Sequence, residues 1–171
     1  MQDIIGQVQN YSAGARRSAR AHYKAVDIST WRNNALGIPA ILASTIVGTS
    51  IFATLNTSPD IRWRIAAGLV ALLAASLSAL QTFFRYSERA ERHRIAAAKY
   101  GDLRRRCDLL ALKYDSAPTE QRPAALVELA SVISDFGTLA LESPGVSDRA
   151  YRRAVSELSK VGGQERTSKA T

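Results

Sequence analysis

Cysteine is almost missing from this 171-residue chain, and Cys107 is its single representative. One thiol excludes an intrachain disulfide and leaves no basis for a cysteine-built zinc site; it fits a reducing cytoplasm. Histidine is nearly as scarce. His22 and His93 stand near basic residues, without the carboxylate–histidine spacing of metal sites, so no metal is expected. His93 falls towards a juxtamembrane helix seam, where an imidazole can respond to pH. The first thirty residues carry Arg16, Arg17, Arg20, Lys24, Asp3 and Asp27 but no apolar h-region, which predicts no cleaved signal peptide. Internal repeats, strand-rich segments and a glycine-rich phosphate loop are absent. So is any grouping of nucleophile, base and oxyanion donor. The expectation is a non-enzyme with no catalytic residues and no cofactor.

The most informative absence is charge. Residues 35–55, ALGIPAILASTIVGTSIFATL, and residues 65–84, IAAGLVALLAASLSALQTFF, contain no Asp, Glu, Lys or Arg. A 21-residue helix spans roughly 32 Å, close to the roughly 30 Å hydrocarbon core of a bilayer. Both runs are apolar around the whole helix, and the remaining chain has too little apolar surface to enclose them, which disfavours a soluble bundle. The reading is all-α: a transmembrane hairpin continuous with a cytoplasmic helical bundle. The loop NTSPDIRWR, residues 56–64, is short enough to make the spans antiparallel neighbours. Pro39 is expected in the first turn of its helix, where a missing N–H matters least.

What is there in excess is positive charge, +8 overall. Arg16, Arg17, Arg20, Lys24 and Arg32 precede the first run, and Arg85, Arg89, Arg92, Arg94, Lys99 and Arg104 follow the second. The loop offers only Arg62 and Arg64. This bias places both termini on the cytoplasmic side of the inner (plasma) membrane, with Trp31 and Trp63 near the interfaces. The lipid bilayer is therefore the first partner. Arg104, Arg105 and Arg106 spread around a helix between Asp102 and Asp108, which fits a salt-bridged surface, and no nucleic acid is expected.

Four regions follow: a cytoplasmic amphipathic helix over 1–33, the hairpin over 34–84, a cytoplasmic helical region over 85–160 and a flexible tail over 161–171. The front helix carries Ile4, Val8, Tyr11, Ala15, His22 and Val26. No breaker ends the second span, so one long helix is expected to reach about Tyr114. Its seam, Ala96, Tyr100, Leu103, Cys107, Leu110 and Tyr114, has the alternating four–three spacing of helix-to-helix packing. Cys107 then reads as a small buried residue rather than a nucleophile. A second helix over 123–141 repeats the pattern with Leu126, Leu129, Ile133, Phe136 and Ala140. A last helix follows Ser147, a suitable N-cap, with Ala150, Tyr151, Ala154, Val155 and Leu158 on its apolar side. These seams fit packing within one subunit or between subunits.

Within the spans, Ala40, Ser44 and Gly48 recur at four-residue spacing, as do Ala67, Ala71, Ala75 and Ala79, with Ser78 adjacent. Small faces allow close backbone approach, within the hairpin or between copies. Thr45 and Thr49, with Ser50, Ser76 and Gln81, add weakly polar groups. Two helices enclose no lumen, so these could line a path only in an oligomer. No ionisable residue lies within either span, which argues against a proton-coupled transporter or pump.

The front helix with RRSARAHYKA, the hairpin with its NTSPDIRWR loop, and the continuation FFRYSERAERHRIAAAKYGDLRRRCDLLALKY together resemble the SLATT proteins. These are two-transmembrane effectors associated with SMODS and SLOG domains. The resemblance extends to about Lys160 and rests on organisation more than on any one motif. It implies an antiviral or other bacterial conflict-system effector that assembles as a homo-oligomer or opens in the inner membrane when a partner signals infection. It carries no catalytic residues. With no recognisable sensor in this chain, the trigger would come from a separate sensor or nucleotide-signal-producing protein, or bind the bundle directly. The alternative is a non-conducting anchor or scaffold for a cytoplasmic signalling partner.

Overall fold

The computed structural model describes residues 2–53, 60–115 and 118–168. Among these the regular elements are all helical: α1 (Gln2–Ala53), α2 (Ile61–Phe84), α3 (Tyr86–Asp115), a 3-10 turn (Thr119–Gln121), α4 (Arg122–Glu142) and α5 (Asp148–Ser168). The all-α expectation holds. The end of the first apolar run and loop residues 56–59 lie outside the described residues.

Local chemistry accounts for most helix ends. The Asp60 carboxylate accepts from the Arg62 backbone N–H at 3.3 Å and starts α2. Proline occupies the first turn of α4, and the Ser143 N–H closes its last turn on Leu139 at 3.0 Å. Ser147 starts α5, its hydroxyl accepting from the Ala150 N–H at 3.4 Å. Three expectations need correction. Pro39 lies deep inside α1, not in a first turn, because α1 runs without a break through residues 33–39. There the Ala35 carbonyl lacks its regular donor. The second span does not continue unbroken into the cytoplasmic helix: Arg85 separates α2 from α3 in a left-handed conformation, φ 46° and ψ 44°. Nothing in its residue type marks this break, since glycine or asparagine usually fills such a position. Finally, α5 continues to Ser168, through the segment read as a flexible tail from residue 161.

The chain divides into two compact units, Met1–Asp27 with Ala90–Thr171, and Ile28–Arg89. The first is a bundle. Ile4 and Val8 of α1, Leu103, Cys107 and Tyr114 of α3, and Ala125, Leu129 and Val132 of α4 share one buried cluster. Ala15, Tyr100 and Leu139 form a second, with Phe136 packed against both. The seams therefore pack within one chain. Full burial of Leu or Val is worth about 1.5–3 kcal/mol per side chain, so this core is the main stabilising element of the unit. On α4 the expected register is displaced by one residue at alternate positions. Ala125, Leu129, Val132 and Leu139 are buried, whereas Leu126 is 48% exposed, Ile133 37%, and Ala140 also faces outward. At two of these positions the helix packs through the smaller neighbour, Ala125 in place of Leu126 and Val132 in place of Ile133, and at the third through Leu139 in place of Ala140. On α5, Ala150 and Ala154 are fully buried while Tyr151 and Val155 stay partly exposed.

The second unit is a hairpin of the latter part of α1 and α2. Among the described residues two stretches are long and apolar enough to cross a membrane, Ile61–Asp115 and Arg122–Glu142. In the first, the apolar part is α2, and only 6% of its most apolar window is buried. In the second, α4 buries Leu129 and Val132 and ties Glu128 to Lys113 and Asp135 to Arg106. It is a core helix of the bundle. The partner of α2 is the uncharged continuation of α1.

Candidate functional site

In the hairpin, close contact falls on few residues. Gly37, Ala40 and Ala74 are buried; Ala67, Val70, Ala71, Leu77 and Gln81 are partly buried. The Gln81 amide donates to the Asn33 side-chain oxygen at 3.2 Å. It passes directly over Gly37, where a Cβ would lie 2.9 Å from Gln81 Nε2 and 3.1 Å from Oε1. Nearby, the Arg32 guanidinium stands 5.9 Å above the Tyr86 ring, which stacks on Phe84 at 5.3 Å. One end of the hairpin is thus tied by an amide pair and a cation–π contact.

The small-residue candidates are divided by this geometry. Ala40 is buried and Gly48 partly so, but Ser44, Thr45 and Thr49 face outward. Ala67 and Ala71 are partly buried, whereas Ala75, Ser78 and Ala79 are exposed. A four-residue step advances about 400° around a helix, so the alanine stripe drifts about 40° per step off the contact face. The actual stripe alternates three and four. Asn33, Gly37 and Ala74 were missed by sequence reasoning; amides at matching ends of two antiparallel runs were the available signal for Asn33 and Gln81.

The hydroxyls of the spans bond mainly to their own helix. Thr45 donates to the Ile41 carbonyl at 2.9 Å, Thr49 to that of Thr45 at 2.9 Å, and Ser76 to that of Leu72 at 2.8 Å. Outside them lies an almost continuous apolar surface that includes Ile41, Ile46, Leu69, Leu72 and Phe83.

In the bundle, Ala96, Tyr100, Leu103, Cys107 and Tyr114 are buried and Leu110 is partly buried. His22, 3% exposed, meets His93 Nδ1 to Nδ1 at 3.0 Å and stacks on Tyr100 at 5.5 Å. Burial, and then the neighbouring His93, lowers the His22 pKa to about 4; burial lowers that of His93 too. Burial raises the Cys107 thiol above its usual range, so it is held as the neutral thiol. The three consecutive arginines each meet a carboxylate: Arg104 meets Asp108, Arg105 Asp102 and Arg106 Asp135. Among the described residues no three His, Cys, Asp or Glu side chains are grouped to hold a metal ion.

The chain thus combines a two-helix apolar hairpin with an α-helical bundle. The family model described as SMODS and SLOG-associating 2TM effector domain family 4 matches residues 6–168. The chain belongs to this family. No curated protein and no solved structure matches it. As a SLATT protein it is a membrane protein, and its family is one of two-transmembrane effectors of conflict systems associated with SMODS and SLOG domains.

Proposed function

We propose that this SLATT protein is a non-enzymatic effector of the bacterial inner membrane, with both termini in the cytoplasm, which assembles into a homo-oligomeric pore when a separate sensor signals infection. The supporting observation is the hairpin's surface. Its two helices bury little more than Gly37, Ala40 and Ala74 against each other, and leave large apolar side chains together with Ser44, Thr45, Thr49 and Ser78 directed outward. Two helices enclose no channel, so conduction requires several copies, each offering its small, weakly polar face to a common centre. The cytoplasmic orientation is supported by the eleven basic residues flanking the inner ends against two in the loop. Expression together with its native activating partner, followed by a voltage-sensitive dye, tests the reading. Depolarisation supports it, and an unchanged potential despite verified activation overturns it.

A second reading is a non-conducting anchor for a cytoplasmic signalling partner. It is favoured by the hydroxyls of Thr45, Thr49 and Ser76, which bond to their own backbone rather than pointing free. Exchange of the hairpin for an unrelated two-span anchor separates the readings: preserved function supports the anchor, and loss with intact folding supports the pore.

A further inference from the structure

Along the α1–α5 face of the bundle runs a groove of about 540 Å³, lined by Lys24 and Asp27 of α1 and by Arg152, Arg153, Ser156, Glu157 and Lys160 of α5. Its two carboxylates are already engaged. Glu157 binds Lys24 at 2.6 Å with Arg20 at 3.9 Å, and Asp27 lies 3.7 Å from Lys24. Arg152 and Arg153 have no carboxylate within ion-pair distance, Lys160 acts on Glu157 only from beyond that distance, and the Ser156 hydroxyl has no hydrogen-bond partner, among the described residues. Elsewhere on the bundle the arginines of the 104–106 run are each neutralised. Positive charge is therefore left unbalanced in this concavity.

The frame behind it is fixed. Ala150 and Ala154, both with zero exposure, seat α5 in the bundle, and the Lys24–Glu157 pair joins it to α1. Guanidinium groups with a neighbouring hydroxyl and ammonium suit a tetrahedral oxyanion, which accepts forked and single hydrogen bonds at once. A groove of this size falls within the range of small-ligand sites, about 300–1,000 Å³.

We infer that this groove binds a phosphate-bearing anion, held by Arg152, Arg153 and Lys160 with a hydrogen bond from the Ser156 hydroxyl. The phosphate comes from a soluble compound or from a phospholipid headgroup, and the experiment has an arm for each. The inference goes beyond the pore reading and stands whether or not the hairpin conducts.

The test uses the full chain. In neutral detergent micelles it is titrated calorimetrically with inorganic pyrophosphate at fixed ionic strength. In parallel, its thermal midpoint is measured in phosphatidylcholine nanodiscs with and without phosphatidylglycerol. Saturable pyrophosphate binding that weakens at least tenfold in Arg152→Gln/Arg153→Gln, but not in the charge-matched Arg104→Gln/Arg105→Gln, supports a soluble source. A phosphatidylglycerol-dependent rise in midpoint with the same pattern of loss supports the headgroup. Circular dichroism checks that the variants fold, and Lys160→Gln replaces the double variant should it not. No response in either arm overturns the inference, as does equal weakening in the two double variants, which would reveal only general charge attraction.

Discussion

His22 and His93, 71 positions apart in the chain, meet through their Nδ1 atoms at 3.0 Å against the face of Tyr100. A bond between two imidazole nitrogens needs one donor and one acceptor, so the neutral pair holds a single proton between the rings. Two protonated rings would turn two N–H groups on each other. Tyr100 supplies the other ring in contact with His22. Lys24 and Arg20 on α1 are paired with Glu157 of α5, and Lys99 on α3 with Glu142 of α4.

Acid is therefore expected to loosen the bundle. Above the ordinary histidine value of 6.5, folded and unfolded chains both keep His22 neutral and ionisation contributes nothing. Between 6.5 and about 4 the unfolded chain takes the proton first, so stability falls as pH falls; below about 4 the difference is constant. The loss amounts to about 3 kcal/mol at its largest. Thermal midpoints from pH 7.5 to 4.5 measure it. His22→Phe should flatten that limb, and an unchanged slope in the variant would assign the acid response to other groups.

The register of α4 yields a sharper mutational contrast. Leu129 is 4% exposed within the cluster of Ile4, Val8, Leu103 and Cys107, while Leu126, one turn earlier, is 48% exposed. Leu129→Ala is expected to destabilise the bundle by about 2–4 kcal/mol and Leu126→Ala by less than about 1 kcal/mol. Chemical denaturation of the full chain in micelles compares them. Equal losses would restore the register suggested by residue size.

That contrast also shows what the sequence could carry. The α3 seam was legible from the alternating four–three spacing of Ala96, Tyr100, Leu103, Cys107, Leu110 and Tyr114, which separates them from the exposed Ile95, Leu109 and Leu112. α4 is apolar on several faces, so periodicity alone could not choose among them, and Ala125 and Val132 joined Leu129 and Leu139 on the inside. The hairpin was legible from missing charge, a property of the whole segment that survives uncertainty about any one residue. Its contact face was not, because Ala, Gly, Ser and Leu serve nearly as well against lipid as against another helix. The groove between α1 and α5 joins positions 24 and 152–160, a tertiary relation with no local signature. The Arg85 break likewise comes from no residue preference.

Gly37 sets the spacing of the hairpin. In an ordinary helix interior, alanine in place of glycine gains about 1 kcal/mol. Here the added methyl meets the Gln81 amide at 2.9–3.1 Å, the end of a flexible side chain that can turn aside only by releasing Asn33. Gly37→Ala is therefore expected to be nearly neutral, and Gly37→Leu to destabilise by about 1–3 kcal/mol by forcing the helices apart. Thermal unfolding in micelles and crosslinking between engineered cysteines at 33 and 81 provide the readouts. A stabilised Gly37→Leu would show that α1 and α2 have room to spare there.

Cys107 should behave as an inert thiol. It has zero exposure, and burial raises its pKa, with Asp108 acting in the same direction and Arg106 against it. Maleimide at pH 7 is expected to label the folded chain at least about a hundredfold more slowly than the urea-unfolded chain, at a rate set by opening of the bundle. Rapid labelling of the folded protein would contradict the packing of α1, α3 and α4 around it.

Arg85 is the position where a change should stabilise. A side chain at φ 46° is disfavoured by about 1–2 kcal/mol relative to glycine, because Cβ crowds the following carbonyl. The backbone bonds around it are nevertheless made, Arg85 N–H to Gln81 at 3.3 Å and Arg89 N–H to Arg85 at 3.1 Å, so the conformation is held by its neighbours. The side chain offers little in return: its pair with Glu88 spans 3.6 Å between well-exposed groups, the kind that contributes at most about 1 kcal/mol. Arg85→Gly should accordingly raise the thermal midpoint in micelles, and Arg85→Val should lower it. The same variants in anionic nanodiscs add a further comparison, since a guanidinium at the end of an apolar span can meet lipid phosphate. A glycine variant that gains stability in neutral micelles but loses it in anionic nanodiscs would mean that lipid contact, rather than any preference of the chain, keeps arginine in this left-handed position.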